Sequence, residues 1–372
     1  MMNRRTLLAG LACSAAAHPL VTPVALAEAP GDARLVVIVL RGAMDGLDVV
    51  RPVGDPAWSA LGRPGDGHGT GFFALHPALA PLLPLWRAGE MGAVHAVSTP
   101  YRDGRSHFDG QDLLEAGGAG VRDGWLNRLV ARIPGARART AFAVGRDALR
   151  ILEGPAPVAE WAPETRLDLG PQARRLLSLI LEPDPLLGPA AEEAMALADA
   201  TGRRLRGEPP AVTLARYAAE RLTEETRIAA FSMTGWDTHR GQPRAMDRNL
   251  AELSEAILAL RTGLGTHWAR TAVLAVTEFG RTVRLNGSGG TDHGTGGAML
   301  TAGGALAGGQ VLADWPGLAE ADLVDRRDLR PTRDLRAHLA WVIRDLFGVP
   351  AADLEGALFP GLEMGKRSGL LL

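Results

Sequence analysis

The sequence predicts an α/β protein in which helices cover a mostly parallel central sheet. The first observation is a set of short runs that are predominantly apolar without alternation, at 34–40, 91–97, 227–233 and 271–276. Continuous apolar runs of this length are typical of parallel strands buried on both faces. The second observation is a helical repeat between the last two runs, formed by Met246, Leu250, Leu253, Ile257, Leu260 and Leu264. Strand, amphipathic helix and strand in succession predict a βαβ unit.

Other segments predict helices that would cover this sheet. Residues 76–86 have proline in their first turn, which favours the start of a helix. Residues 333–348 end with a glycine, which commonly terminates helices. Residues 124–207 are rich in Arg, Ala, Leu and Pro. We expect them to form helical cover or a cap over the site, with short helices at 172–181 and 190–197.

Residues 1–27 are predicted to be an export signal. Arg4 and Arg5 precede a weakly apolar core and a small-x-small cleavage site. The arginine pair resembles a twin-arginine signal, whose translocase exports folded proteins. We therefore expect a periplasmic or secreted protein that has this translocase as a partner during export. The alternative is a lipoprotein anchored at Cys13, although the residues before Cys13 fit that cleavage pattern poorly.

The composition limits what residues 28–372 can be, and we expect them to form a single domain. The chain has 40 basic and 42 acidic residues, a net charge of -2, which gives no indication of a nucleic-acid partner. No segment after the signal is apolar for long enough to span a bilayer. The one cysteine lies within the signal. Any metal must therefore be held by oxygen and nitrogen ligands.

Polar residues follow the first two predicted strands, at the end where parallel sheets place their ligands. Asp45 lies in a glycine-containing loop after the first strand, which predicts a metal-binding carboxylate or, alternatively, a helix cap. Ser106 follows the second strand and would lie at the N-terminus of a helix. In that position it could be a nucleophile toward a phosphoryl group or an ordinary N-cap.

Two later loops pair a carboxylate with an imidazole. Asp237 and His239 follow the third strand and are close enough in sequence to bind one cation. Asp292 and His293 are adjacent in a glycine-rich loop, whose backbone can approach a bound ion closely. For both pairs the alternative is a loop that is held together by a carboxylate–imidazole hydrogen bond.

A parallel sheet would gather these loops at one edge, together with Glu278 and Arg281 after the fourth strand. Carboxylates and imidazoles without thiolates suit Zn, Mn, Mg or Ca, and two clusters could hold two divalent cations. The sequence thus predicts Ser106 as the nucleophile and Arg281 as a clamp on an anion. The predicted metal ligands are Asp45, Asp237, His239, Glu278, Asp292 and His293.

The motifs LRGAMDGLD, RSHFDGQD, GWDTHRGQ and TEFGRTVRLNGSGGTDHGTGG resemble those of exported bacterial proteins of the DUF1501 family. That family is grouped with the alkaline phosphatase and sulfatase superfamily. The resemblance implies a three-layer α/β/α domain with a mostly parallel sheet and, in the enzymes, two metals that flank a Ser, Thr or formylglycine nucleophile. It makes Asp45 similar to the first metal aspartate and Ser106 to the nucleophile. The sequence departs from the usual pattern at Glu278, where those enzymes carry an Asp-His pair.

These observations favour a periplasmic metal-dependent hydrolase or transferase that acts on a phosphate or sulfate ester. Its substrate would be a small molecule or an ester of the cell envelope. The alternative is a catalytically silent protein that keeps the fold as a binding or assembly component of the envelope. Metal content and turnover distinguish the two hypotheses.

Overall fold

The computed structural model of the chain describes residues 31–102, 105–145, 149–161, 175–176, 180 and 209–372. The predicted export signal at 1–27 and the predicted helix at 190–197 lie outside the described residues, as does most of the predicted helix at 172–181. Within the described ranges, no helix combines the length and the apolar character that a membrane crossing requires.

Within the described residues, a nine-stranded sheet forms the centre of the fold, and three short strands form a second, antiparallel sheet. In the large sheet the strand order is β11-β5-β10-β9-β1-β8-β6-β7, and β12 also pairs with β5. The small sheet has the order β2-β4-β3. The strands are β1 (Arg34–Leu40), β2 (Val50–Arg51), β3 (His68–Gly69), β4 (Ala74–Leu75), β5 (Met91–Ser98), β6 (Ala141–Val144), β7 (Ala159–Trp161), β8 (Ile228–Met233), β9 (Thr271–Val276), β10 (Gly297–Ala302), β11 (Val311–Leu312) and β12 (Arg333–Asp334).

The large sheet is parallel except at β10. Strand β1 pairs in parallel with both β8 and β9, and β6 pairs in parallel with β7 and β8. Strand β10 lies between β9 and β5 and runs antiparallel to both. Because eight of the nine strands share one direction, their carboxyl ends meet at a single edge. The predicted mostly parallel sheet is confirmed.

Helices cover both faces of the sheet and give the predicted three layers. In the part of the chain that the structure describes, the α-helices are α1 (Gly46–Val49), α2 (Leu83–Arg87), α3 (His107–Ala116), α4 (Trp125–Val130), α5 (Pro210–Leu222), α6 (Gln242–Leu264), α7 (Leu335–Phe347) and α8 (Ala351–Asp353). Short 3-10 segments are Trp58–Leu61, Pro77–Leu82, Ala138–Thr140, Arg150–Leu152, Gly265–Arg270 and Glu320–Asp322, and Leu354–Leu358 is a π-helical turn.

Alternating side chains of β1 enter two different hydrophobic cores. Val36, Ile38 and Leu40 pack with α5 and α6 on one face, whereas the intervening residues pack with α4 and α7 on the other. Every residue of β1 is buried. This arrangement explains why the strand is apolar at consecutive positions rather than alternately.

The segment 124–207, predicted to be helical cover or a cap, contributes more than helices within its described part. It begins with α4 and then supplies β6 and β7, the last two strands at one end of the sheet. Both strands are too short to give a clear pattern, and β7 carries Glu160 in its middle. Whether this segment also caps the site stays a prediction.

Candidate metal centre

Three imidazole nitrogens and one guanidinium converge on a single carboxylate oxygen, Asp237 Oδ1. The Nε2 atoms of His239, His293 and His107 lie 3.1, 3.3 and 3.4 Å from it. Arg281 Nη2 donates to the same oxygen at 2.6 Å. These side chains come from the loops after β8 and β9, from the loop before β10 and from the first turn of α3. Strand direction therefore assembles the cluster at the carboxyl edge, as the sequence predicts.

Each of these histidines has an acceptor at its other ring nitrogen. His107 Nδ1 contacts Glu278 Oε1 at 2.8 Å, and His239 Nδ1 contacts Asp292 Oδ1 at 3.0 Å. His293 Nδ1 contacts the carbonyl oxygen of Arg105 at 2.6 Å. Because carboxylates and carbonyls only accept hydrogen bonds, they favour a proton on Nδ1 and leave the Nε2 lone pairs directed at the centre.

The two Nε2 atoms of His239 and His293 lie 3.0 Å apart. With both Nδ1 atoms protonated, neither Nε2 can donate to the other, so a shared proton or a cation is needed between them. Nitrogen and oxygen ligands held about 2.0–2.2 Å from one zinc ion would lie roughly 3.3 Å from each other. The observed separations around Asp237 Oδ1 match that spacing.

His107, Asp237 and His293 could hold one metal ion, because their ligand atoms all lie within 4.8 Å of one another. His239 borders this group through its contacts with Asp237 and His293. The side chains of Asp237 and His239 are 46% and 41% exposed, so the cluster is open to solvent on this side. A small ligand could reach it there.

The electrostatics of Asp237 and His293 favour metal binding near neutral pH, whereas those of His107 oppose it. Burial raises the pKa of the Asp237 carboxyl, but the positive charges of Arg281 and the histidines outweigh burial and keep that pKa below its ordinary value. Burial lowers the pKa of His293, so its ring is neutral and able to coordinate. The hydrogen bond to Glu278 instead raises the pKa of His107. A cation at the centre would have to displace the proton that this shift favours.

The structure places the predicted ligand Glu278 behind His107 rather than at the open centre. Its carboxylate is fully buried and accepts from the backbone N–H of Gly42 at 2.9 Å and from Gln111 Nε2 at 3.1 Å. Burial raises the pKa of Glu278, but its hydrogen bonds, first the one with His107, outweigh burial and lower it. Ionised Glu278 therefore orients the His107 ring.

Asp292 has a similar position behind His239. Besides His239 Nδ1, its Oδ1 accepts from Asn286 Nδ2 at 3.1 Å. The hydrogen bonds from Asn286 and His239 lower the pKa of Asp292. The two residues of the predicted ligand pair thus have different roles. Asp292 orients the His239 ring, whereas His293 faces the centre.

Asp45 lies in a different, buried network. Its Oδ2 accepts from Arg63 Nη1 at 3.0 Å and from Gln242 Nε2 at 2.8 Å. Its Oδ1 accepts from the backbone N–H groups of Leu47 and Asp48, which makes it the N-cap of α1. Asp45 lies at the same edge of the sheet as the histidines, but both of its carboxylate oxygens accept hydrogen bonds from protein groups.

Ser106 is the N-cap of α3, immediately before His107. Its hydroxyl accepts from the backbone N–H of Asp109 at 3.5 Å, and its own N–H donates to the Tyr101 hydroxyl at 2.8 Å. The following helix has ten residues, so Ser106 lies at the positive end of a helix dipole. Both roles considered from the sequence, cap and nucleophile, are compatible with this position.

The sequence does not predict His107 as a ligand, although His107 lies within the motif around Ser106. A lone histidine in the first turn of a predicted helix gives no signal of its own. The available signal was that His107 follows a strand-end loop at the same sheet edge as the two Asp–His pairs. Its ring stacks on Phe279 at 5.3 Å and meets the His293 ring edge-on at 4.2 Å.

Glycines let the loops of the centre pack against one another. A Cβ atom on Gly290 would lie 2.3 Å from the carbonyl oxygen of Thr238, and one on Gly294 would lie 2.4 Å from the carbonyl carbon of Arg281. One on Gly42 would lie 2.4 Å from the backbone nitrogen of Asp237. The sequence predicted that glycines allow close approach to an ion; at these positions the close neighbour is protein backbone.

Among solved structures, the chain is similar to the C-terminal periplasmic domain of EcEptC from Escherichia coli in complex with Zn. The identity is 10%, the coverage is 92% of this chain and 93% of that chain, and the TM-score is 0.41. A mutant of TAB5 alkaline phosphatase with Mg bound gives 8% identity, 76% and 94% coverage and a TM-score of 0.36. These scores are too low to carry a role from those proteins to this chain.

A third similar structure is the lipoteichoic acid synthase LtaP from Listeria monocytogenes. It gives 10% identity, 90% and 77% coverage and a TM-score of 0.37. No curated protein matches the sequence. The model of the family described as protein of unknown function (DUF1501) matches residues 86–347, which is more than half of the chain. The chain belongs to the DUF1501 family.

Proposed function

We propose that this protein is a metal-dependent hydrolase or transferase that acts on a phosphate or sulfate ester. The observation that carries the proposal is the convergence of three imidazole Nε2 atoms on Asp237 Oδ1, with an acceptor behind every imidazole. Such acceptors behind ligating histidines are a regular feature of metal sites. The proposed location is the periplasm or the cell exterior, which rests on Arg4 and Arg5 in the predicted signal.

The donor set favours particular ions. His107 and His293 supply nitrogen, as would the adjoining His239, and Asp237 supplies oxygen, a combination that suits Zn or Mn better than Mg or Ca. A divalent ion in this position would act as a Lewis acid toward a phosphoryl or sulfuryl oxygen. The exposed side of Asp237 and His239 gives an ester access to it.

Arg281 adds a fixed positive charge beside the proposed ion. Its side chain is fully buried, and one of its nitrogens is bound to Asp237. Its Nε and Nη1 have no hydrogen-bond partner among the described residues. Burial lowers the pKa of Arg281, but arginine stays protonated in proteins. This charge favours an anionic ligand at the centre, as expected for phosphate or sulfate esters.

Ser106 is the proposed nucleophile. Its only hydroxyl contact among the described residues is the long one to the Asp109 N–H, so the oxygen is not committed to a strong hydrogen bond. The N-terminus of α3 would stabilise negative charge on a phosphoryl group near Ser106. His107 and the carbonyl of Arg105, on either side of Ser106, both belong to the metal centre.

A catalytically silent binding protein is the second candidate. One observation favours it: within the described part of the chain, no histidine or carboxylate side chain hydrogen-bonds the Ser106 hydroxyl as a base would. Such a protein would still bind the ion through the same histidines. Bound metal without turnover of either ester class would select this candidate.

The test uses protein purified without chelators. We expect mass spectrometry to detect bound Zn or Mn, and we expect hydrolysis of an aryl phosphate or an aryl sulfate. His293→Ala should lower metal content and turnover at least about tenfold, because it removes a ligand nitrogen. The matched control is His267→Ala, which removes a histidine near the start of β9, at the opposite edge of the sheet. A metal-free wild-type protein, or equal metal content in both variants, would contradict the proposal.

A further inference from the structure

A second cation at this edge would need free carboxylate oxygens, and Asp45 has none. A carboxylate offers about four acceptor positions. Four donors within 3.3 Å fill those of Asp45: the N–H groups of Leu47 and Asp48 at 3.1 and 3.3 Å, Arg63 Nη1 at 3.0 Å and Gln242 Nε2 at 2.8 Å. The Thr291 hydroxyl makes a longer contact at 3.5 Å. The Asp45 side chain is also fully buried. Protein donors therefore take up the acceptor positions of the Asp45 carboxylate, and none is left for a cation.

Arg63 is fixed beside Asp45 from the other side. Its Nε donates to the carbonyl of Val283 at 2.6 Å, and its Nη2 donates to the carbonyl of Thr282 at 2.7 Å. The Arg63 side chain is 1% exposed, as is that of Asp45. Because both other nitrogens of the guanidinium are bound to backbone carbonyls, the group cannot leave Asp45 without breaking several buried hydrogen bonds.

Gln242 joins this buried pair to the loops of the metal centre. Its amide nitrogen donates to Asp45, and its amide oxygen accepts from the hydroxyls of Thr238 and Thr291 at 2.9 and 2.6 Å. Thr238 lies between Asp237 and His239, and Thr291 directly precedes Asp292 in the chain. Gln242 thus connects the Arg63–Asp45 ion pair by hydrogen bonds to the loops that carry the proposed metal ligands.

Two other buried carboxylates near the centre, Glu278 and Asp48, are occupied in the same way. Glu278 accepts from Gly42, His107 and Gln111 through one oxygen, and its other oxygen lies 2.9 Å from Thr277 Oγ1. Asp48 is paired with Arg51 at 2.8 Å and with Gln242 at 3.2 Å. Among the described residues, His107, Asp237 and His293 can share an ion, and His239 borders this group through its contacts with Asp237 and His293.

We infer that the centre holds one divalent cation, and that Arg63 is the permanent positive charge beside Asp45 where a second cation would otherwise bind. This inference rests on the proposed metal site. It differs from the expectation of up to two cations that the sequence raised. In place of a second cation, two buried guanidinium groups provide the positive charge at this edge. Arg63 is paired with Asp45, and Arg281 is paired with Asp237.

The experiment counts ions on the intact, exported chain. Native mass spectrometry of protein equilibrated with excess Zn, or with excess Mn, should give one ion per chain. Asp45→Asn should keep that one ion with affinity unchanged within about threefold, while its melting temperature falls because Arg63 loses its charge partner. The matched variant Asp237→Asn should lose the ion, with affinity lowered at least about tenfold.

Two ions on the wild-type chain, with one lost in Asp45→Asn, would overturn the inference and leave the proposed function intact. No ion on the wild-type chain would instead remove the metal-dependent function itself. If Asp45→Asn does not fold, the wild-type count still decides between one ion and two.

Discussion

Ser106 combines a structural position with the proposed chemical one. As the N-cap of α3 it satisfies a backbone N–H that the helix cannot pair, and substitution of such a cap typically costs about 1 kcal/mol. Loss of activity after a change at this residue therefore has two explanations, a destabilised helix or a missing nucleophile. Asparagine separates them, because it caps helices about as well as serine but has no hydroxyl.

We expect Ser106→Asn to keep the melting temperature and the metal content of the wild type and to lose ester hydrolysis. The loss should exceed about 100-fold if the hydroxyl is the nucleophile. Ser106→Ala should lose both hydrolysis and about 1 kcal/mol of stability. Turnover by Ser106→Asn near the wild-type rate would exclude Ser106 as the nucleophile.

At the level of single residues, the sequence predicts which chemical groups meet but not which partner each one takes. Asp237, His239 and His293 are found together, as expected. The pairing of Asp45 with Arg63 is not predictable, because Arg63 lies in an irregular segment after a 3-10 turn. The contact of Glu278 with His107 is equally impossible to predict from the sequence, because 171 positions separate the two residues in the chain.

At the level of elements, burial explains which strands the sequence reveals. Strands β1, β5, β8 and β9 are predominantly apolar because helices cover both of their faces, and their predicted bounds agree with the structure within a residue. The bounds of strand β10 could not be predicted, because it begins with glycine directly after a glycine-rich loop. Its antiparallel direction depends on pairing with β9 and β5, which no local pattern encodes.

The turn before α3 is an element that links a buried acid to the metal centre. Arg105 has a left-handed backbone, with φ 50°, and its carbonyl accepts from His293 Nδ1. Its guanidinium lies 3.2 Å from the fully buried carboxylate of Asp328. Burial raises the pKa of Asp328. Asp328 thus holds in place the turn that orients a ligand ring.

Asp328→Asn should weaken metal binding about tenfold, because it loosens the acceptor behind His293. The control is Asp325→Asn, whose carboxylate is 77% exposed and lies 4.0 Å from the same guanidinium. That variant should bind metal like the wild type, since exposed ion pairs contribute little. Isothermal titration with Zn measures both affinities. Equal affinities for the two variants would exclude a positioning role for Asp328.

At the level of the whole molecule, two buried histidines couple stability to pH. Burial lowers the pKa of His95 to about 4 and that of His338 to about 3, from an ordinary value of 6.5. Both rings are therefore neutral in the folded protein at pH 7, whereas the unfolded chain takes up protons below pH 6.5. The stability from keeping them neutral is complete above pH 6.5 and is lost as the pH falls toward 4 and 3.

Replacing His338 should make the protein less sensitive to acid. Its Nδ1 has no hydrogen-bond partner among the described residues, so His338→Leu removes a buried polar atom without leaving another unpaired. The free energy of unfolding in urea should fall by a few kcal/mol less between pH 7.5 and 4.5 than in the wild type. His267→Leu, at a partly exposed position, controls for the loss of a histidine. Parallel curves for wild type and His338→Leu would contradict this prediction.

The contacts at Gly42, Gly290 and Gly294 limit how the centre can vary. At each of these positions one added carbon would collide with the backbone of a neighbouring ligand loop. The backbones of these loops pack directly against one another, so the loops cannot shift by small amounts relative to one another. A change in ion preference, by natural variation or by design, would therefore require substitution of the coordinating side chains, while the backbone of the loops stays the same.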